Sequence, residues 1–268
     1  PVFMAGLFFI CLFCHAQLAA TAPHPSRLTE FYLLMSLGGA LGSLAGSMLA
    51  PLVLSGDFEM PITLALVAAL IAWRVRGAML TYRIAIALVA VIVAGVATWQ
   101  ISDKYAHSRV QVRNFYSALR ILDTGEGVER LRTMEHAGVN HGSQYLDPAR
   151  RGEALAYYSP SSGVGLAIAR QRELAAGAPL AAGFIGLGAG ALAAYGEPGD
   201  AFRFYEINPQ VIDLAKREFT YLSGSKANVS LALGDARLVL EAEKPQAFDL
   251  IVVCLLYTSP SPRDRQKS

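Results

Sequence analysis

The segment that most constrains the fold is an apolar strand, a glycine-rich turn and a second strand that ends in an acid, all within residues 184–206. Gly186, Gly188 and Gly190 allow a tight turn and a close backbone approach to a ligand, which a Cβ would prevent. The carboxylate of Glu206 can accept hydrogen bonds from both ribose hydroxyls. This order is typical of doubly wound α/β sheets that bind an adenosine-containing ligand. These four residues are therefore predicted to bind such a ligand.

The α/β alternation continues after this segment. A helix is predicted to start at Asn208, with asparagine as its cap and proline in its first position. The strand predicted over 228–233 is followed by Asp235, and a mostly apolar run over 248–253 is typical of a buried parallel strand. Asp235 and the backbone N–H of Ala236 suit the edge of an adenine. The alternative is a solvated surface role for this aspartate.

The stretch before the glycine turn predicts a smaller β region. Residues 114–122 and 128–136 are expected to form two strands of a hairpin around a glycine-containing loop. Residues 102–113 are expected to be a polar connector, and residues 140–145 a polar turn. A helix is predicted over 163–176, capped by a serine and ended by a glycine.

The first hundred residues are nearly all apolar. The whole chain has 16% charged residues, whereas soluble domains average about 25%. The runs 2–20, 31–55 and 84–101 can each cross a hydrocarbon core of about 30 Å, and 61–73 is a shorter span or half-span. About four transmembrane helices are predicted, with the lipid bilayer as partner. The expected location is a bacterial inner membrane, with the soluble part in the cytoplasm.

Charge and cysteine content exclude several classes of protein. A net charge of +2 does not argue for a nucleic-acid partner. Cys11 and Cys14 lie in an apolar run and Cys254 lies far away, so neither a disulfide framework nor a metal site is expected. Because the chain begins with Pro1, its true N-terminus is expected to be missing.

Several motifs together resemble those of spermidine synthases (polyamine aminopropyltransferases), and in particular membrane-fused proteins similar to them. The motifs in the α/β half are residues 186–190, 206–209, 234–237 and 248–253. The resemblance extends upstream through residues 31–51, 141–144, 157–158 and 162–165. It covers nearly everything up to Val253. It implies a Rossmann-like parallel sheet of the S-adenosylmethionine-methyltransferase type, preceded by a small β-hairpin region.

The resemblance also implies a reaction. An aminopropyl group passes from decarboxylated S-adenosylmethionine, a co-substrate, to a diamine such as putrescine. Gln144 is implied to lie near the ligand, Glu206 to bind the ribose and Asp235 the adenine. The attacking amine must first lose a proton, so a carboxylate is needed as general base. That aspartate is expected directly after residues 248–253. A homodimer is a further expectation.

Two departures keep other functions open. Soluble spermidine synthases carry an acid in the glycine turn where this chain has Ala189, and their tyrosine-histidine/glutamine-glutamate segment has no clean match near Tyr157 and Tyr158. One alternative is a methyltransferase-like enzyme that uses S-adenosylmethionine. Another is a non-enzymatic membrane module that binds polyamines or nucleosides.

The third departure is the end of the chain. Cys254 stands where the aspartate is expected, and residues 254–268 resemble the conceptual translation of a sequencing adapter. A genuine basic Ser/Pro tail is the alternative. The predicted organisation is therefore transmembrane helices over 1–103, a β-hairpin lead-in over 104–180, a nucleoside-binding half over 181–253 and an artefactual tail. No catalytic residue is assigned, and the chain is predicted to lack aminopropyltransferase activity.

Overall fold

The computed structural model describes residues 2–56, 58–74, 77, 79–136 and 138–254. The chain divides into two compact units, Pro1–Ala106 and His107–Ser268. Apart from Cys254, the segment predicted to be an artefactual tail lies outside the described residues.

The first unit is helical in its described part. Its helices are α1 (Val2–Ala20), α2 (Leu28–Leu44), α3 (Glu59–Arg74) and α4 (Leu80–Ala106). A π-helical turn over Ala45–Leu49 and a short helix over Ala50–Val53 continue α2. Each of the four predicted apolar runs is therefore helical over most of its length.

Two of these helical stretches are long and apolar enough to cross a membrane, namely Pro25–Val53 and Arg83–Asp103. Within the chain, only 6% of the first apolar window and 0% of the second are buried. In a lipid-facing helix the protein itself does not bury the apolar side chains, because lipid covers them in the membrane. The predicted membrane location depends on these two helices, and a core helix or a signal sequence meets the same criteria of length and composition.

The second unit begins with a four-stranded antiparallel sheet. Its strands are β1 (Val110–Arg113), β2 (Ala118–Thr124), β3 (Leu131–His136) and β4 (Val139–Tyr145). They pair in sequence order. The expected polar connector and polar turn are wrong in part, because β1 lies in the former and β4 in the latter.

The composition of β1 and β4 explains why they were missed. β1 has only four residues, and its Val110 and Val112 pair with Ile121 and Leu119 of β2. β4 carries polar side chains inside the protein, where they are hydrogen-bonded rather than solvated. Its Ser143 is 6% exposed. Such a strand lacks the alternation of apolar and polar residues that marks a half-buried strand.

A parallel sheet forms the rest of the second unit. It contains β5 (Ala181–Ile185), β6 (Ala201–Glu206), β7 (Asn228–Leu233) and β8 (Leu250–Val253) in the order β7-β6-β5-β8. All three pairings are parallel. The strand order reverses beside β5, where sheets of this kind bind ligands outside the carboxyl ends of their strands.

Helices connect these strands much as predicted. α5 (Gly163–Ala175) precedes β5, α6 (Pro209–Glu218) follows β6 and α7 (Ala236–Ala242) follows β7. The side chains of Ser162, Asn208 and Asp235 cap their N-termini by accepting backbone N–H bonds. A 3-10 helix over Ala191–Tyr195 follows the glycine turn.

The two sheets of the second unit share one hydrophobic core. Phe184 stacks on Phe204 with ring centroids 4.7 Å apart. Ile121 and Met134 of the antiparallel sheet are completely buried in the same cluster. Arg132 adds a polar link, since its guanidinium pairs with Asp123 and also donates to the carbonyl oxygen of Glu218 in α6. The antiparallel sheet is thus packed tightly beside the parallel one.

Candidate functional site

The glycine turn after β5 requires glycine at all three predicted positions. Gly186, Gly188 and Gly190 have φ values of +96°, +55° and +83°, a region that side chains disfavour. A Cβ on Gly186 would lie 2.9 Å from the carbonyl oxygen of Cys254, and one on Gly188 only 2.3 Å from that of His141. The glycines are therefore needed for packing inside the protein as well as for any approach of a ligand.

β4 lies directly against this turn. The N–H of Ala189 donates to the carbonyl oxygen of His141 across 3.1 Å. A Cβ on Gly142 would lie 2.7 Å from the Cβ of Ala189, and Ala189 is completely buried. The side chain at position 189 therefore meets the backbone of the antiparallel sheet.

Glu206 stands at the end of β6, as predicted, and its carboxylate reaches the glycine turn. One oxygen accepts from the N–H of Leu187 at 3.0 Å, and the other accepts from the N–H of Asn208 at 2.9 Å. An ionised carboxylate has about four acceptor positions. Two therefore remain for hydroxyl donors of a ligand, and the half-buried carboxylate is already oriented for them.

The buried side chain of Asn208 fixes the segment after Glu206. Its amide oxygen accepts from the side-chain N–H of Asn114 at 2.7 Å, and its amide nitrogen donates to the hydroxyl of Ser117 at 3.1 Å. Both partners lie in the turn between β1 and β2. The antiparallel sheet thus supports the acid end of β6 as well as the glycine turn.

Asp235 lies at the same edge of the sheet. The N–H of Gly234 donates to the carbonyl oxygen of Glu206 at 2.9 Å, which ties the ends of β7 and β6 together. Asp235 is exposed, and one of its oxygens accepts from the N–H groups of Arg237 and Leu238. It therefore caps α7. Ala236 is the first residue of that helix, where the backbone N–H has no partner inside the helix.

Exposed apolar side chains accompany these polar groups. Ile207, Leu233 and Leu238 are 42%, 58% and 61% exposed. Ile207 directly follows Glu206, and the two leucines lie within three residues of Asp235. Uncovered aliphatic surface beside hydrogen-bonding groups is typical of sites for flat, partly apolar ligands. The sequence motifs did not single out these three residues, although their positions next to the two acids were visible.

Gln144 is in contact with neighbouring loops of the protein itself. Its amide nitrogen donates to the carbonyl oxygen of Arg151 at 2.8 Å and to the hydroxyl of Thr220 at 2.9 Å. Its amide oxygen accepts from the N–H of Thr220 at 3.0 Å. Only 2% of the residue is exposed. The structure thus places Gln144 inside the wall between β4 and the segment after α6.

Cys254 follows β8 at the same edge as the glycine turn. Its N–H donates to the carbonyl oxygen of Ile185 at 2.9 Å, and its Sγ lies 3.0 Å from the hydroxyl of Tyr158. Burial raises the pKa of Tyr158 far above its usual range, and the neighbouring thiol of Cys254 raises it further. The Tyr158 hydroxyl therefore keeps its proton at neutral pH. The sequence placed Tyr158 only in the neighbourhood of a family motif and gave it no contact with position 254.

Two imidazoles lie at the β3–β4 hairpin beside the turn. The ring centroids of His136 and His141 are 5.2 Å apart. Burial lowers the pKa of His141, and the neighbouring His136 lowers it further. His141 is thus favoured in its neutral form in the folded protein.

The described residues contain no group of three or more His, Cys, Asp or Glu side chains placed to hold a metal ion. Cys11 and Cys14 are free thiols on α1. Cys254 contacts Tyr158 and is also a free thiol. Backbone N–H groups, carboxylates, apolar side chains and the Tyr158–Cys254 pair lie at this edge of the sheet.

No protein-family model and no curated protein matches this chain. Among solved structures, the crystal structure of a probable spermidine synthase from Corynebacterium glutamicum ATCC 13032 is similar, with 20% sequence identity and a TM-score of 0.45. The match covers 58% of this chain and 55% of that one, so the chain spans about half the length of this relative.

Proposed function

We propose that the second unit binds the adenosine part of a sulfonium nucleoside at the carboxyl ends of β5, β6 and β7. The observation that carries the proposal is the carboxylate of Glu206, which is held over the glycine turn by the N–H of Leu187 and keeps acceptor positions for two ribose hydroxyls. Asp235 and the N–H of Ala236 would meet the adenine edge. Ile207 and Leu238 would contact its faces.

The reaction class that we propose for the parent protein is aminopropyl transfer from decarboxylated S-adenosylmethionine to a diamine such as putrescine, on a Rossmann-like sheet. The support is the sequence resemblance together with the meeting of Tyr158, the glycine turn and position 254 at one edge. The lone pair of a neutral amine forms the new N–C bond while the C–S bond breaks, which releases methylthioadenosine. The proton from the amine must pass to a base at this edge.

This chain carries a thiol where the base would stand. The cysteine side chain has no carboxylate oxygen to hold an ammonium group or to accept a proton from it. The nucleoside half of the site does not depend on Cys254. We therefore propose that the chain binds nucleoside but does not transfer aminopropyl groups.

One observation favours a second candidate, a methyltransferase-like enzyme that uses S-adenosylmethionine. Ala189 is buried against Gly142, and the turn offers no carboxylate there for the cationic end of a decarboxylated donor. A preference for S-adenosylmethionine over its decarboxylated form would favour this candidate. Equal binding of both together with methylthioadenosine, without turnover of either, would favour a non-enzymatic binding module.

Isothermal titration calorimetry tests the shared part of these proposals. The full chain, purified in a non-ionic detergent, is titrated with methylthioadenosine, with S-adenosylmethionine and with its decarboxylated form. We expect saturable binding of methylthioadenosine and much weaker binding of its 2′-deoxy analogue, because that analogue lacks one hydroxyl donor for Glu206. Equal affinity for the two compounds, or no binding of either, would sink the proposal.

We also propose that Pro25–Val53 and Arg83–Asp103 anchor the protein in a lipid bilayer and that the chain forms homodimers. Carbonate extraction of membranes tests the first point, since an integral protein stays in the pellet. Light scattering of the detergent-purified chain tests the second. Release into the supernatant, or a mass of one chain, would contradict the corresponding point.

A further inference from the structure

A cavity of about 840 Å³ lies within the second unit, between α5, the turn Ala191–Tyr195 and residues 220–226. Its described lining includes none of the residues predicted to bind the nucleoside. The volume is in the range of ordinary small-molecule pockets. The cavity is therefore separate from the proposed nucleoside site.

The cavity carries an excess of positive charge. Arg151, Arg172 and Lys226 line it, against the single carboxylate of Glu197. Arg172 is already neutralised, because its guanidinium lies 2.7 Å from the buried carboxylate of Asp200 and 3.2 Å from that of Glu197. Arg151 and Lys226 are the other two cationic side chains of the lining.

Neither of these two cations has a carboxylate partner in the part of the chain that the structure describes. The guanidinium of Arg151 donates at 3.3 Å to the carbonyl oxygen of Leu146, and Lys226 is an exposed residue on the cavity wall. An ammonium or guanidinium group that faces a partly enclosed space gains most from an anionic partner. The charge of the lining thus selects for an anion.

The rest of the lining is largely apolar. Ile168, Ala169 and Ala194 line the cavity, and Ile168 is only 1% exposed. The hydroxyls of Thr220 and Ser223 add polar contacts. A small inorganic ion would leave the apolar part unused, whereas an organic anion with an apolar body would use both parts.

The walls of the cavity are held by buried hydrogen bonds. Gln144 bonds both the carbonyl oxygen of Arg151 and the hydroxyl of Thr220. The hydroxyl of Tyr221, a 2% exposed residue, lies 2.8 Å from the carbonyl oxygen of Ser143 and 2.7 Å from that of Glu153. A cavity with braced walls binds a ligand at little ordering cost.

We propose that this cavity binds a small organic anion, a phosphate monoester or a carboxylate with a flat apolar body, and that Arg151 and Lys226 contact its anionic group. The apolar surface of α5 and of the turn Ala191–Tyr195 takes the body of the ligand. This binding is independent of the proposed nucleoside site.

Calorimetric titration of the full detergent-purified chain with phenyl phosphate, benzoate and benzyl alcohol tests the chemistry. We expect at least one of the two anions to bind at least about tenfold more tightly than the neutral alcohol, since a charge-assisted contact is lost in the alcohol. The tighter anion identifies the head group. Failure of both anions to bind, or equal binding of benzyl alcohol, overturns the proposal.

Variants test the location. Lys226→Glu is expected to weaken binding of the anion at least about tenfold, whereas the matched charge reversal Lys216→Glu, at an exposed position of α6 outside the lining, leaves it within twofold. Gly224→Phe adds a large uncharged side chain at a residue that lines the cavity, where a Cβ meets open space. It is expected to abolish binding.

Glu206→Gln separates this cavity from the nucleoside site and is expected to leave anion binding unchanged. Circular dichroism of each variant confirms that it is folded. Binding of phenyl phosphate or benzoate at wild-type affinity by both folded cavity variants, or its loss in the Glu206→Gln variant, overturns the assignment of the anion to this cavity.

Discussion

The N–H of Ala189 donates a hydrogen bond to the carbonyl oxygen of His141, so the glycine turn of the parallel sheet is joined directly to β4 of the antiparallel sheet. The close approach of Gly188 to the same carbonyl oxygen completes the contact. The shape of the turn therefore depends on both sheets. Substitutions in either sheet can therefore be used to test the candidate site.

Gly188→Ala should destabilise the second unit far more than Gly127→Ala. The two glycines have nearly identical φ values of +55° and +54°, so each substitution carries a left-handed backbone cost of about 1–2 kcal/mol. Only at Gly188 does the added Cβ also collide, 2.3 Å from the carbonyl oxygen of His141, whereas nothing lies within 4 Å at Gly127. This overpacking adds about 1–3 kcal/mol.

Hydrogen exchange measured by mass spectrometry on peptides from β4 and β5 reports the free energy of opening for each variant. Equal losses of protection in the two variants would show that the contact between the turn and β4 is unimportant.

Glu206→Gln should weaken binding of methylthioadenosine by about tenfold or more, because hydrogen bonds to a charged acceptor are stronger than those to an amide. The amide has only one acceptor oxygen, so its NH₂ group would face the N–H of Leu187 or that of Asn208, both of which now donate to the carboxylate. Calorimetry gives the dissociation constant. Glu173→Gln, on the exposed face of α5, is the control and should not change it. Unchanged affinity in the Glu206 variant would remove this residue from the site.

Asp123→Asn should flatten the acid end of the stability curve. The hydrogen-bonded guanidinium of Arg132 lowers the pKa of Asp123 in the folded protein, and the unfolded state therefore binds more protons. Its contribution is present above the unfolded pKa of about 4 and is lost as the pH falls below that value toward the folded pKa.

Thermal unfolding followed by circular dichroism between pH 5 and pH 2.5 checks the prediction for Asp123. Asp213→Asn removes an exposed carboxylate that pairs with Arg217 across one helical turn, and should flatten the curve much less. A wild-type slope in the Asp123 variant would contradict the prediction.

His141→Phe should reduce the loss of stability between pH 7.5 and pH 5.5. Burial lowers the pKa of His141 in the folded state, so its contribution is present above the unfolded pKa of about 6.5 and declines as the pH falls below it. Phenylalanine keeps a ring but does not titrate. Thermal midpoints at the two pH values measure the effect, and Asp123→Asn serves as a control that should not alter this window. An unchanged difference between the midpoints would contradict the assignment.

The 268-residue chain should form no spermidine from decarboxylated S-adenosylmethionine and putrescine. Cys254 supplies no carboxylate to accept the proton of the attacking amine, although it stands beside Tyr158 at the proposed edge. Mass spectrometry of the products checks this expectation, with an active spermidine synthase as positive control. Spermidine above the no-protein background would refute it.

The parallel sheet could be predicted because β5 and β8 are apolar on both faces and local signals separate the four strands. The glycine turn, the acid at the end of β6 and the Asn208 cap each follow from short-range chemistry. The antiparallel sheet could not be predicted fully. Its fourth strand is stabilised by partners such as Thr220, 76 residues away from Gln144, and no local pattern reveals such a partner.

The site was predictable in its elements but not in its contacts. Glycine at position 188 suggested the approach of a ligand, whereas the structure shows that it also makes room for a carbonyl oxygen from another sheet. Tyr158 and Cys254 are 96 residues apart and meet only when β8 pairs beside β5. Contacts of this kind depend on the order of the strands in the sheet, which the local patterns of a single sequence do not give.

The meeting of Ala189 with Gly142 restricts how this site can change. A Cβ at position 142 would already lie 2.7 Å from the Cβ of Ala189, which is completely buried. An acid introduced at position 189 would be both overpacked and deprived of water. A single substitution of this alanine by an acid is therefore costly. A larger side chain at position 189 therefore requires a change in the path of β4 as well.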